Sequence, residues 1–240
     1  MQTVTLSLFR FGTLADRLWV LGQMATARLA FARMPEAGFW KLCGSGTGEG
    51  FTPNPNWSVW AILVAWPDAA TARRMVAEAP VYRRWRARAV EDWTIHLQAT
   101  SSRGEWAGRA PFEASGSSEG PLAVLTRASV RPSRLLRFWG RAPGISDRIG
   151  ADPNVAFKIG IGEVPMLHQV TFSVWPDVAS MAAFAHRDGP HARAIRAVRE
   201  GNWFREELYA RFRILGAEGR WLGGDPLSRL PIPLPALDAA

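Results

Sequence analysis

The chain has 240 residues and carries 29 Lys+Arg against 21 Asp+Glu, a formal charge of +8. Its 48% hydrophobic and 21% charged residues are those of a folded globular protein, which excludes disorder for the bulk of the chain. The single cysteine, Cys43, excludes an intramolecular disulfide and any site needing several thiolates.

In chain order, Val4 to Phe9 alternates as an opening strand and Leu14 to Arg33 follows as a helix. Phe39 to Gly46 and Val59 to Trp66 read as two further strands. Trp66-Pro67-Asp68 closes the second: Pro67 cannot donate to a ladder, and Asp68 can N-cap the Ala-rich helical segment that reaches Pro80. Thr94 to Trp106 begins as a fourth strand, and Ala107 to Gly120, with Pro111 and a Ser-Gly-Ser-Ser run, reads as a linker. The pattern then repeats. Pro121 to Val130 is a strand, Arg134 to Ile149 a helix, and Ala156 to Gly162 and His168 to Trp175 are strands. A second Trp-Pro-Asp turn, ending at Asp177, leads into a helix that reaches Pro190, and Tyr209 to Trp221 is the last strand. Aligned this way, the only two lysines of the chain, Lys41 and Lys158, fall at one equivalent position.

Each copy has the order β-α-β-β-α-β of a ferredoxin-like unit, whose bare sheet face a second unit can cover. The expected fold is therefore α+β, two duplicated ferredoxin-like halves packed within one chain and sharing a combined sheet or barrel. The halves are residues 1–106 and 121–222, the linker is 107–120, and a Pro-rich tail, 223–240, is expected to be irregular.

Residues present in one copy and absent from the other are candidates for function. His96 is alone in the first half, whereas His168, His186 and His191 lie in the second. On a helix running to Glu200, His191 shares a face with Ala194, Ile195 and Val198, so it points inward, either as a satisfied core residue or as a ligand. His168, at a strand start, is the rival ligand. The loop Gly44-Ser45-Gly46-Thr47-Gly48-Glu49-Gly50 is longer than its counterpart at Gly160 to Gly162. It has no Gly-Lys-Ser/Thr ending, so it is not a Walker phosphate loop; a flexible loop at a site mouth and a plain inter-strand loop both remain.

Arg73, Arg74, Arg83, Arg84, Arg86 and Arg88 form a basic stretch, either a solvated helix face or a docking surface for an acidic protein or an anionic membrane. Nucleic acid is not expected, because no recognition helix, RNA-recognition signature or zinc finger is present. No catalytic triad, nucleophile elbow or His-Glu-x-x-His motif occurs, so no catalytic acid, base or nucleophile is assigned. The most apolar stretch, Trp57 to Trp66, is about half the length of a membrane helix, and the N-terminus lacks a signal-peptide pattern. A cytoplasmic protein, at most peripheral on a membrane, is expected.

Phe39-Trp40-Lys41 with the Gly-rich loop, Trp66-Pro67-Asp68, His168-Gln169-Val170-Thr171-Phe172-Ser173 and the block from Pro190-His191-Ala192-Arg193 to Glu200, followed by Trp203-Phe204, resemble the spheroidene monooxygenase family. These are the acyclic carotenoid ketolases of purple photosynthetic bacteria. The resemblance covers residues 1 to about 225. It implies a dimeric α+β barrel type of fold and a haem-containing oxygenase that uses O2 and reduced ferredoxin to oxidise a spheroidene-type carotenoid. It also implies His191 as the residue that holds the haem iron, with His168 as rival; a cation can bind a haem propionate, and Lys41 is the candidate for it. Trp40, Trp57 and Trp60 are the expected linings of an apolar substrate channel, against simple core packing for each. Cys43 is expected to be structural. Two other readings stay open: a barrel module that binds an apolar ligand without redox chemistry, and a cofactor-free monooxygenase of the same superfamily.

Overall fold

A computed structural model describes residues 1–48, 50, 52–117, 119–140, 152–186 and 203–230. Its strands are β1 (Thr3–Arg10), β2 (Phe39–Gly46), β3 (Pro55–Trp66), β4 (Glu91–Gly104), β5 (Leu122–Val130), β6 (Phe157–Gly162), β7 (His168–Trp175) and β8 (Phe204–Gly219). All pair antiparallel into one closed barrel of order β1-β3-β2-β6-β7-β5-β8-β4, so no strand presents a free edge. Strands before the linker run β4-β1-β3-β2, and those after it run β8-β5-β7-β6. The two sets meet at β4 with β8 and at β2 with β6. The described helices are α1 (Leu14–Ala32), α2 (Ala69–Glu78), α3 (Pro80–Arg86), α4 (Leu135–Trp139) and α5 (Val178–His186).

Alternation along each strand separates two apolar layers. Val4, Leu6 and Leu8 face the barrel interior with Phe39, Cys43, Ile95, Phe172 and Phe212. On the outer face, Phe9, Trp60, Ile62 and Trp66 pack under Phe31, Tyr82 and Trp85 of α1 and α3. The two Trp-Pro-Asp turns act as their chemistry requires. Asp68 Oδ1 accepts the Thr71 amide and Asp177 Oδ1 the Ser180 amide, each at 2.7 Å. The Trp indoles donate to Thr5 and Ser173 hydroxyls at 2.8 and 2.9 Å, so neither N–H is buried without a partner.

Both barrel ends are closed by chain that follows a Trp. After Trp106, the amides of Ala107 and Gly108 donate to Glu206 at 2.9 and 2.7 Å. After Trp221, those of Leu222 and Gly223 donate to Glu91 at 3.1 and 2.7 Å. Ala107 and Leu222 both take positive φ, 56° and 53°, a strained backbone that the carboxylate clamp holds in place. The segment read as a linker thus plugs one end, with Phe112 buried edge-on to Phe39 and Phe212. The start of the Pro-rich tail is likewise ordered against the other end, where Leu227 is buried in the barrel core.

One expectation is corrected. Trp40 pairs with Val64 and Lys158 with Ser173, which stands at the same distance before its Trp-Pro-Asp turn as Val64 does. Lys158 therefore corresponds to Trp40, and Lys41 to Ile159. The alignment of the lysines was one residue out of register, which in a strand means opposite faces. Lys41 points into the barrel and Lys158 away from it.

Asp68→Ala is expected to lower stability by about 1 kcal/mol and Asp68→Asn by much less, read as shifts of the urea midpoint by circular dichroism.

Candidate functional site

Counting back from the two Trp-Pro-Asp turns pairs each inward position of one half with one of the other, and the differences are concentrated. Leu8, Ser45 and Val59 stand where the other half has Arg127, Glu163 and His168. Lys41 stands where the other half has Ile159. One barrel end therefore carries charge in its interior and the other is apolar.

At the charged end, Lys41 Nζ lies 2.8 Å from Glu163 Oε1, and the Trp106 indole donates to Glu163 Oε2 at 2.6 Å. Arg127, almost wholly buried, pairs with Glu206 and reaches within 4.0 Å of Glu163. His168 Nδ1 is 3.5 Å from Glu163 Oε2, long for a hydrogen bond. Lys41 also sits 5.2 Å from the Phe39 ring centroid, and Arg127 lies 5.6 Å from that of Trp106. Burial opposes the charge of Glu163, but His168, Lys41 and the Trp106 N–H outweigh it and hold the carboxyl down at about 2. Two cations balance two carboxylates here. A smaller cavity of about 270 Å³ opens beside this cluster, lined by Arg28, Phe39, Trp40, Lys41, Arg109 and Glu163.

At the other end, a cavity of about 490 Å³ is lined by Val59, Phe157, Ile159 and Trp221 and also by Lys158, Asp225 and Arg229. Its floor belongs to the barrel core, where Phe157 packs 4.9 Å from Trp93.

The outer face of the second half differs from the first in the same systematic way. Phe9, Leu42, Trp60 and Ile62, all buried under helices, correspond to Ala128, Gly160, Gln169 and Thr171. Large apolar side chains have become small or polar ones, and Ala128, Gln169 and Thr171 are only half-buried. The Gly-rich loop borders this face: Ser45 Oγ donates to the Gly160 carbonyl at 2.7 Å, and a Cβ on Gly50 would lie 1.8 Å from that oxygen. Glycine at position 50 is required by backbone lying on backbone.

The expected site residues are dispersed. Trp57 is exposed, and its carbonyl accepts the Trp60 indole N–H at 2.9 Å. Trp60 is buried in the outer layer, and Trp40 stacks on Phe31 at 5.5 Å beside the smaller cavity. Lys41 and His168 are brought together at the charged end, on the barrel side of the sheet. His191 lies outside the described residues. Cys43 is buried in the barrel core, where burial pushes its thiol up, away from the thiolate form. Among the described residues no three His, Cys, Asp or Glu side chains are grouped to hold a metal ion; a haem iron needs only one axial side chain. Glu163, Arg127, Trp106 and Glu206 were not found from the sequence. Comparing the copies at strand register, Leu8 against Arg127, carries the signal.

A closed eight-stranded antiparallel α+β barrel also describes two solved aldoxime dehydratases, one in complex with butyraldoxime. They share 11% and 12% identity with this chain at TM-scores of 0.60 and 0.58; each match spans 89% of this chain and 79% and 81% of theirs. At that identity they establish the fold alone. No family model matches. The chain is 55% identical to a spheroidene monooxygenase of Cereibacter sphaeroides, over all of this chain and 78% of that protein. It is 54% identical to one of Rhodobacter capsulatus, over 95% and 96%, and 36% identical to one of Rubrivivax gelatinosus, over 87% and 81%. It belongs to the spheroidene monooxygenase family.

Glu163→Gln is expected to cost on the order of 2 kcal/mol at pH 7, since Lys41 and Arg127 lose a buried counter-charge. With the folded carboxyl at about 2 and its ordinary value at 4.5, the contribution is complete above 4.5 and lost as pH falls towards 2. Urea midpoints of the Gln variant should therefore fall less steeply than wild type across that interval; parallel curves would contradict the assignment.

Proposed function

We propose that this chain is a haem-dependent carotenoid monooxygenase that introduces a keto group into acyclic, spheroidene-type carotenoids. The observation that carries the reading is identity of 54% across 95% of this chain and 96% of the Rhodobacter capsulatus enzyme. In the proposed reaction the carbon beside the methoxy-bearing terminus is hydroxylated twice. Each round consumes one O2, two electrons from reduced ferredoxin and two protons, and releases one water. The gem-diol that results loses a further water to become the ketone.

The chain's own part is to hold an apolar polyene end, keep water from it and seat the haem. The cavity by Val59, Phe157, Ile159 and Trp221 suits the chain end, because these side chains offer hydrocarbon contact beside the charged Lys158, Asp225 and Arg229. The outer face of the second half, where Ala128, Gln169 and Thr171 stand at the places of Phe9, Trp60 and Ile62, is the proposed seat of the haem. His191 is the proposed iron ligand, as family resemblance implies. When bound, the haem supplies the oxygen activation. His168 and Lys41 are engaged with Glu163 on the opposite side of the sheet, which favours His191 over the rival. The barrel is proposed to comprise two ferredoxin-like halves, 1–106 and 121–222, in support of which each set of strands keeps one order about its own Trp-Pro-Asp turn. Residues 107–120 join them and 223–240 follow as a tail. The net charge of +8 suits an acidic ferredoxin and an anionic membrane surface.

Expression in cells that accumulate spheroidene tests the activity. A ketone product is expected, and binding without conversion in the presence of ferredoxin and O2 would refute it. The purified protein should show a Soret band that His191→Ala abolishes or shifts, whereas His168→Ala should leave it in place.

A further inference from the structure

Helix α1 is apolar on both sides. Its inward face buries Val20, Ala27 and Phe31. Its outward face carries Leu14, Leu18, Leu21 and Leu29, exposed by 71, 61, 42 and 60%. At 100° per residue these four fall with Ala15, Gly22, Ala25 and Ala32 in one continuous sector that contains no charged side chain. The stripe runs the length of a 19-residue helix, about 28 Å. Val90, 54% exposed and packed beside Gly12, prolongs it past Leu14. A helix with a second continuous apolar face is ordinarily covered on that face too.

The margins of this face identify what covers it. Arg17 and Arg28 line one margin and Arg33 ends the helix, while exposed Arg83 and Arg84 project from neighbouring α3. The one acid of α1, Asp16, is already paired with Arg88 at 3.2 Å. Two copies packed face to face would bring arginine margins together without free carboxylates on α1 to meet them. An apolar stripe edged on one side by cations is complementary to a bilayer surface with anionic headgroups, on which such a helix lies flat with its leucines among the acyl chains.

We infer that the outward face of α1 is a membrane-docking surface selective for anionic lipid. The inference deepens the membrane part of the reading above, and α1 carries it without reference to the reaction. No described helix is long and apolar enough to cross a membrane, so docking here means lying on the surface.

The full-length protein is mixed with carotenoid-free vesicles of phosphatidylcholine alone or with an equal part of phosphatidylglycerol, and sedimented. Binding to the anionic vesicles is expected, weakened by salt. A triple variant, Leu18→Gln, Leu21→Gln and Leu29→Gln, should lose at least about tenfold in affinity. Its circular dichroism melt and its turnover of detergent-dispersed carotenoid should match wild type, because these side chains are already in solvent. Equal binding by the variant, or none by wild type, overturns the inference. A wild-type dimer that the variant converts to monomer assigns the face to a second copy instead and also overturns it. Vesicle binding without turnover in either protein would count against the proposed reaction while leaving the docking surface standing.

Discussion

Closure of the barrel constrains everything else in this molecule. Once eight antiparallel strands pair around a ring, each strand has an inward and an outward side fixed by residue parity, and a slip of one residue exchanges them. The interior must then be filled from both ends. Here that is done by side chains of the strands and by two short segments that fold back over the openings, each pinned by a glutamate that accepts two successive backbone amides. The same device at both ends, at Trp106 and Trp221, leaves the two mouths alike in backbone and free to differ in chemistry.

They do differ, and in one direction. The mouth at Trp106 carries Lys41, Arg127, Glu163 and His168 in its interior, and the other carries Leu8, Val59 and Ile159 at corresponding places. A charge cluster of this kind persists in a barrel because opposite charges meet: Glu163 takes the Lys41 ammonium and the Trp106 indole N–H, and Arg127 pairs with Glu206. The other mouth keeps a cavity of about 490 Å³. The outer surface shows the same division of labour. The first half seals its sheet with large apolar side chains, whereas the second has Ala128, Gly160, Gln169 and Thr171 at the corresponding places.

Much of the architecture was legible in the chain. The Trp-Pro-Asp turns fixed where two strands end and two helices begin, because Pro cannot extend a ladder and Asp accepts the first free amides of a helix. The eight strands followed from periodicity and self-similarity, whereas 107–120, read as a linker, packs Phe112 into one barrel end. The resemblance of the Pro190–Glu200 block placed the chain in its family. The site was less legible. Trp40, Trp57 and Trp60 look alike as candidates for an apolar channel, yet one is half-buried beside a small cavity, one is exposed and one is packed under a helix. Trp residues report only that apolar area is available; parity and neighbours decide where it goes.

By itself, then, the sequence determined local geometry and kinship: which segments extend, which coil, where each stops, and to which family the chain belongs. Those depend on residues near one another in the chain and on patterns that survive in any register. Only the tertiary structure decided that Lys41 and Lys158 point to opposite sides of the sheet, that Glu163 gathers Lys41, Trp106, Arg127 and His168, and that the leucines of α1 have no partner within the described chain. These depend on pairing between strands far apart in sequence, where a shift of one residue, invisible to alignment, turns an inward side chain outward.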